Sequence, residues 1–375
     1  MKNIVGSIVE KENFFGREKE INRAWELLEN GNSLILAAPR RVGKSSFAKK
    51  MKDKAEIEGW KGYYIDLEKS KTETDFIKRF LTVLKGEKWF EKFKVDNFKV
   101  SVPYVSFDIS KNEDICQKIE QALPYSEDTL IVIDELTIFL DNLHEDNKKN
   151  DLDNVEFVLN WLRGLRQVSG NKIRWIFCSS IGIENFASAH NLSYTLNDVT
   201  SFAIDELKGN EPTLFIKELA ESKKLTFQDD VIQYLLNKLG WKLPYFIQLL
   251  FKEIVDFTES EKEISIDTID KAYAHTISKN SIHFNTWFER LNEYKEDKQY
   301  ALILLKELSR MKAGKSRNSL QSLIVEKVLD VDKAEEILNR ILFLLDKEGY
   351  IMESAGKYTF RSPFLRDFWY NRFVL

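Results

Sequence analysis

The chain has 375 residues, 43% hydrophobic and 31% charged, which predicts a globular protein of two or three domains. A net charge of −4 excludes an overall basic field for nucleic acid or membranes, and two distant cysteines exclude a disulfide scaffold or a thiolate metal site. No apolar run reaches the roughly 18 residues of a membrane-spanning helix, and the charged N-terminus does not fit a signal peptide. We therefore predict a soluble cytoplasmic protein.

Strand and helix patterns alternate over residues 1–205. Strands are predicted at "SLILAA" (33–38), "GYYIDLE" (62–68), "TLIVIDEL" (129–136) and "IRWIFCSS" (173–180). Helices are predicted at 17–30, 45–58 and 72–85, near 113–123 and along the apolar stripe from Val155 to Leu165. Continuous apolar strands are typical of parallel sheets covered on both faces, so we predict a doubly wound α/β domain. Alternation within 95–112 predicts an inserted hairpin.

The C-terminal half has a different pattern. Strand signals vanish over 206–292, which predicts a helical lid. Residues 297–375 contain three helical segments followed by the hairpin pattern "YIMES-AG-KYTFRS", which predicts a winged helix. The third helix carries more acidic than basic residues, and the best basic cluster is Lys312, Lys315 and Arg317. A net-negative helix is repelled by duplex DNA, so we expect this domain to contact proteins.

The stretch "LILAAPRRVGKSS" (34–46) nearly matches the phosphate loop, which reads Gly, four residues, Gly-Lys and then Ser or Thr. Ala38 occupies the place of the first glycine. Because the stretch follows a strand and opens a helix, its backbone N–H groups can bind phosphate, and we predict ATP binding. Lys44 is expected to reach the β- and γ-phosphates and Ser45 to hold Mg²⁺. The nucleotide-binding residues predicted here are Pro39, Arg40, Arg41, Val42, Gly43, Lys44, Ser45 and Ser46. The alternative is a chance GKS at a helix start.

An acidic pair, Asp134 and Glu135, ends the apolar strand "LIVIDEL". Following a GKS loop within one sheet, Asp134 is predicted to hold Mg²⁺ and Glu135 to polarise an attacking water. The alternative is a solvated strand end. The four histidines show no metal-ligand spacing.

Six stretches occur along the chain in this order: "FFGREKE", "PRRVGKSS", "IVIDE", "IFCSSIG", "WKLPYFIQLL" and "YTFRSPFLRDFW". Over nearly the whole chain they resemble the archaeal/bacterial ATPase family, in the STAND group of AAA+-related P-loop ATPases. The resemblance implies ATP and Mg²⁺ as cofactors. It also places Phe15, Gly16 and Arg17 near the adenine, and Ser179 with Ser180 beside the γ-phosphate. An ordinary turn after a buried strand is the alternative for the two serines.

The resemblance bears on two more places. Pro244 would approach the nucleotide from the lid, although Lys242 stands where relatives have the glycine of Gly-x-Pro. In AAA+ relatives an arginine near Arg163 or Arg166 can reach a neighbouring subunit's γ-phosphate, so Arg166 is a predicted catalytic residue of a homo-oligomer. An arginine late in a helix is also favoured by the helix dipole.

We predict a STAND-type ATPase switch with slow, regulated hydrolysis that acts through a protein partner. Stress or mobile-element defence is its family-level context. The alternative is a DNA-handling ATPase resembling replication initiators or transposon target-selection ATPases. A nucleotide-binding scaffold with negligible turnover is a third possibility.

Overall fold

The computed structural model describes residues 1–84, 116–117, 119–120, 123–146, 152–168, 170–179, 183–258, 262–278 and 282–375. The hairpin predicted at 95–112 and the candidate residue Ser180 lie outside these residues. The chain forms two compact units. The sheet unit comprises Arg17–Ala38 and Lys44–Ile204, and the helical unit comprises Met1–Gly16, Pro39–Gly43 and Asp205–Leu375. Within the described chain, no helix combines the length and apolar character needed to cross a membrane.

The sheet unit is built on five parallel strands. They are β1 (Ser33–Ala37), β2 (Lys61–Asp66), β3 (Thr129–Asp134), β4 (Ile173–Ser179) and β5 (Val199–Ser201). Their spatial order is β2-β3-β4-β1-β5. Every residue of β3 is buried, because this strand has a neighbour on each side and helices on both faces. The predicted α/β fold with a parallel sheet is confirmed; the short strand β5 is not apparent in the sequence pattern.

Helices cover both faces of this sheet. They are α1 (Glu18–Glu29), α2 (Lys44–Ile57), α3 (Glu73–Leu84), α4 (Leu136–Asp146), α5 (Asp153–Arg166) and α6 (Ile183–Ala189). Alternate strand residues such as Ile35, Ile133 and Phe177 share one core with helices α3 to α6. Helices α1 and α2 contact the strands on the other face. Helix α4 is missing from the sequence prediction. The helical residues within 116–120 are described only in part and are not numbered.

The first part of the helical unit contains no regular strand among its described residues. Its helices are α7 (Glu211–Lys223), α8 (Asp229–Leu239), α9 (Pro244–Phe257), α10 (Ile266–Thr276) and α11 (Ile282–Arg290). Helix α9 is the centre of this part, because its side chains from Tyr245 to Phe251 are all buried. Proline at its first position is favourable, since the missing N–H has no intrahelical acceptor there.

The remainder of the helical unit has three helices, a small sheet and a final helix. In chain order these are α12 (Lys298–Arg310), β6 (Lys315–Ser316), α13 (Arg317–Val328), α14 (Val331–Lys347), β7 (Ile351–Ser354), β8 (Lys357–Phe360) and α15 (Pro363–Phe373). The strands are antiparallel in the order β6-β8-β7. Ala355 and Gly356 both have positive φ, which suits a two-residue hairpin turn.

The last boundary between the units along the chain falls between Ile204 and Asp205. The segments treated above as a lid (206–292) and a winged helix (297–375) belong to one compact unit, which also includes the N-terminal residues 1–16. Aromatic residues at the chain end, including Phe364, Phe368 and Trp369, are buried and provide part of the shared core.

Candidate functional site

The backbone between β1 and α2 explains why alanine is accepted at position 38. Gly43 has φ +101°, a conformation that disfavours any side chain, whereas Ala38 is not among the residues with positive φ. A methyl group therefore costs little at position 38. Arg41 also adopts a left-handed φ of 68°, so the loop combines two left-handed residues before the helix starts.

Lys44 is the first residue of α2 and is only 7% exposed. Its Nζ donates a hydrogen bond to the carbonyl oxygen of Ala38 at 2.6 Å. This bond holds the ammonium group next to the residue that follows β1. Ser45 and Ser46 follow in the first helical turn and are half-buried. The helix N-terminus and the lysine together favour an anion.

The strand order brings the ends of β1, β3 and β4 to one edge of the sheet. Strand β4 lies between the other two, with Ser179 in register with Ala37 and Phe177 in register with Ile133. Cys178 precedes Ser179 on β4, and the charges at this edge shift the pKa of its buried thiol. Burial raises its pKa most, Asp134 and Glu135 raise it further, and Lys44 lowers it. The predicted loop lysine and acidic pair therefore converge around the end of β4.

Asp134 is 3% exposed. Its carboxylate accepts a hydrogen bond from the backbone N–H of Glu135 at 3.0 Å and another from the hydroxyl of Tyr64 on β2. Burial, followed by the charge of Asp134, raises the pKa of Tyr64, so this phenol stays protonated and acts as a donor. Sequence reasoning missed Tyr64. Only the pairing of β2 with β3 reveals its role.

Glu135 and Ser179 are both oriented by specific local structure. Glu135 has a φ of 56°, in the left-handed region where a non-glycine residue stores strain. The Ser179 hydroxyl, which is 1% exposed, is hydrogen-bonded to the hydroxyl of Thr137 in the first turn of α4. Thr137 also escaped the sequence analysis, because α4 itself was not predicted.

The donor set fits a hydrated Mg²⁺ ion. Mg²⁺ is usually held by one or two carboxylates together with substrate phosphates and water. Asp134, Glu135 and the Ser45 hydroxyl supply such oxygens. Among the described residues, no cluster of three or more His, Cys, Asp or Glu side chains forms a closed metal cage. Any metal here would therefore depend on phosphate and water ligands.

Residues Pro39–Gly43 group with the helical unit, and their contacts there are specific. The Arg41 guanidinium lies 4.4 Å from the centre of the Tyr245 ring on α9. Val42 is completely buried. The charge of Arg40 acts on Glu348, whose pKa is raised to about 7 mainly by burial and lowered in part by Arg290 and Arg40.

The other residues assigned by resemblance are placed as follows. The Phe15 ring lies 4.9 Å from the Phe215 ring on α7, and Gly16 has φ +64° beside the carboxylate of Glu211. Arg17 precedes α1 in a left-handed conformation and is 2% exposed. Pro244, at the first position of α9, is half-buried.

Arg166, the predicted catalytic arginine, is held within the sheet unit. Its side chain is 3% exposed and forms two hydrogen bonds of 2.9 Å with the carboxylate of Asp198. Its Nη2 also donates to the carbonyl oxygen of Thr195 at 2.6 Å. Arg163, by contrast, lies over the Tyr194 ring at 5.7 Å. To reach a neighbouring subunit, Arg166 would first have to release Asp198.

Solved structures show the same architecture. The Walker-type ATPase PABY2304 of Pyrococcus abyssi is 16% identical over 98% of this chain and 99% of its own, with a TM-score of 0.68. The Aeropyrum pernix ORC2 protein, solved as ADPNP–ADP complexes, is 12% identical over 96% of both chains, with a TM-score of 0.57. No protein-family model and no curated protein matches the sequence. The chain therefore has the fold of P-loop ATPases.

Proposed function

We propose that the protein binds ATP with Mg²⁺, hydrolyses it slowly, and works as a STAND-type switch that acts on a protein partner. The observation that carries the ATPase assignment is the strand order, which brings the ends of β1, β3 and β4, with Lys44, Asp134, Glu135 and Ser179, to one edge of a parallel sheet. In open α/β sheets, ligands bind outside the carboxyl ends of the strands. The similarity to solved P-loop ATPases supports the same assignment at the level of the fold.

Each residue at this edge has a distinct role in the proposal. Lys44 neutralises charge on the β- and γ-phosphates, and Ser45 with Asp134 holds Mg²⁺, which neutralises developing phosphate charge when bound. Glu135 orients and polarises the attacking water, and its carboxylate accepts the proton. Ser179 supplies a hydroxyl beside the terminal phosphate, where Thr137 fixes its orientation.

The C-terminal elements support a protein-directed output. We assign α12, β6, α13, α14, β7 and β8 to a winged helix, in which α14 would be the third helix. That helix carries Asp332, Glu335 and Glu336 in its first half, and Arg317 and Arg340 are already engaged by acidic neighbours. A face with this charge repels DNA phosphates. We therefore place the DNA-handling function second.

The ATP-binding part of the proposal is tested with Lys44→Ala. Removing the charge-assisted contact to phosphate should weaken ATP binding at least about tenfold, or about 1.4 kcal/mol, in calorimetry. Lys52→Ala is the matched control, because Lys52 lies on the same helix and its ion pair at 2.6 Å is with Glu56. Unchanged affinity in Lys44→Ala would refute the assignment of the loop.

Hydrolysis is tested with Glu135→Gln, which preserves the shape of the side chain and removes its basicity. ATP should still bind, while turnover should fall by about a hundredfold or more. Normal turnover would show that another group positions the water. The same assay with added duplex DNA separates the two output functions: strong stimulation by DNA would favour the DNA-handling alternative.

A further inference from the structure

The helical unit contains a cavity of about 730 Å³. Residues from the segment before α9, from α14 and from the β7–β8 hairpin line it. Its volume lies within the range of about 300–1,000 Å³ that is typical of ligand pockets. None of the predicted nucleotide-binding residues contributes to its lining.

The cavity has an apolar floor. Trp241 and Leu342 are buried at 3% and 4% exposure, whereas Phe343 is 44% exposed on α14. Met352 on β7 is half-buried and completes this surface. An exposed phenylalanine over a buried apolar layer gives a ligand side chain a place to leave water.

The charged residues around the cavity are unbalanced. Its lining includes four carboxylates and two guanidinium groups. The carboxylates belong to Asp205, Glu206, Asp346 and Glu353, and the guanidinium groups to Arg317 and Arg361. Arg317 is paired with Glu335 at 3.3 Å and donates to Asn339 at 2.6 Å. Arg361 lies over the Trp241 ring at 5.1 Å. Arg361 also lies 3.8 Å from Asp346, and Asp205 and Glu206 accept hydrogen bonds from neutral N–H groups, which leave their charges in place. With four carboxylates and two guanidinium groups, the lining has a net negative charge, which favours a cation and disfavours a phosphate.

Strand β7 adds an open edge for backbone pairing. Among the described residues, its one paired neighbour is β8, in the sheet order β6-β8-β7. The backbone N–H of Arg361 donates to the carbonyl oxygen of Tyr350 at 3.0 Å, so these two residues form a hydrogen-bonded pair. Along antiparallel strands, hydrogen-bonded and non-hydrogen-bonded residue pairs alternate. Glu353, opposite Tyr358, therefore occupies a non-hydrogen-bonded pair, and its backbone N–H and C=O point away from β8. Such an edge is a template for an added strand.

We propose that this cavity and the β7 edge bind an extended, basic peptide segment of a protein partner. Backbone hydrogen bonds to β7 fix the register of the peptide. Its lysine or arginine side chains pair with the lining carboxylates, and one of its apolar side chains packs on Phe343. The inference rests on the proposed function in one respect, which is that the partner is a protein. It needs no nucleotide, so its test is independent of the ATP-binding test.

The test uses fluorescence anisotropy of a fluorescein-labelled peptide, Lys-Val-Lys-Val-Lys-Val-Lys, with the full chain at near-physiological salt and without ATP. Saturable binding is expected. Glu353→Arg, at an exposed position, should weaken it at least about tenfold. Glu336→Arg is the matched control, because Glu336 is an exposed acid on α14 outside the cavity, and it should change the affinity less than about twofold.

Three comparison probes complete the experiment. The peptide with glutamate in place of lysine, and the peptide N-methylated at its valines, should each bind at least about tenfold more weakly. A 20-base-pair duplex should bind more weakly than the basic peptide. Equal affinity of the wild-type chain and Glu353→Arg, full binding of the N-methylated peptide, or tighter binding of the duplex would each overturn the proposal.

Discussion

Replacing Arg166 with alanine distinguishes a structural arginine from one that acts on a neighbouring subunit. The guanidinium is almost completely buried, binds Asp198 through two nitrogens and caps the carbonyl of Thr195. It also lies 5.4 Å from the centre of the Phe177 ring on β4. These contacts tie the end of α5 to the segment before β5, so the first expected effect of Arg166→Ala is a loss of stability.

The magnitude follows from burial. Breaking a fully buried pair costs about 3–5 kcal/mol, because the remaining charge is left without compensation. The Asp198 side chain is 27% exposed, so water screens part of this cost, and we expect a loss of about 2–3 kcal/mol. Arg163→Ala is the matched control, since the half-buried Arg163 has a ring contact at 5.7 Å, worth about 1 kcal/mol or less.

The assay is amide hydrogen exchange in β4, which reports opening of the sheet unit alone. Burial opposes ionisation of Asp198, but its bonds to Arg166 hold its pKa below the usual range. The pair therefore contributes stability above the unfolded-state pKa and loses it as the pH falls through the lowered folded-state pKa. Turnover is measured in parallel against protein concentration. Unchanged exchange in Arg166→Ala, with turnover lost and dependent on concentration in the wild type, would refute the structural assignment.

Two further predictions concern polar groups that the fold brings together. Tyr64→Phe removes a hydrogen bond to Asp134, and a bond to a charged group contributes about 1.5–3 kcal/mol to stability. The variant should also raise the Mg²⁺ concentration for half-maximal turnover; an unchanged Mg²⁺ titration would contradict this prediction. Burial raises the pKa of Glu348 from 4.5 to about 7, so the folded state binds this proton more tightly. Stability should therefore decline as the pH rises between these values, and thermal melts of Glu348→Gln should lack that decline.

Local sequence patterns were sufficient to predict strands β1 to β4 and helices α1, α2, α3 and α5 of the sheet unit. Continuous apolar runs indicate strands buried on both faces, and a GKS sequence between a strand and a helix indicates a phosphate loop. The conformational demand is also local: Gly43 needs a positive φ, whereas Ala38 does not. These features depend on residues that are neighbours in the chain, so their signals are readable without knowing the fold.

The partners of those residues were decided by tertiary structure. Strand β4 inserts between β1 and β3, which places Ser179 beside the acidic pair, and β2 delivers Tyr64 to Asp134 across 70 positions of sequence. Arg166 forms its ion pair with Asp198 across 32 positions of sequence, whereas the family resemblance had suggested a role at a neighbouring subunit. The cavity beside β7 assembles residues from 205 to 361. Long-range pairs of this kind form in the packing that buries the most apolar surface while every buried polar group finds a hydrogen-bond partner. The hydrophobic periodicity of a short stretch of sequence does not determine that packing.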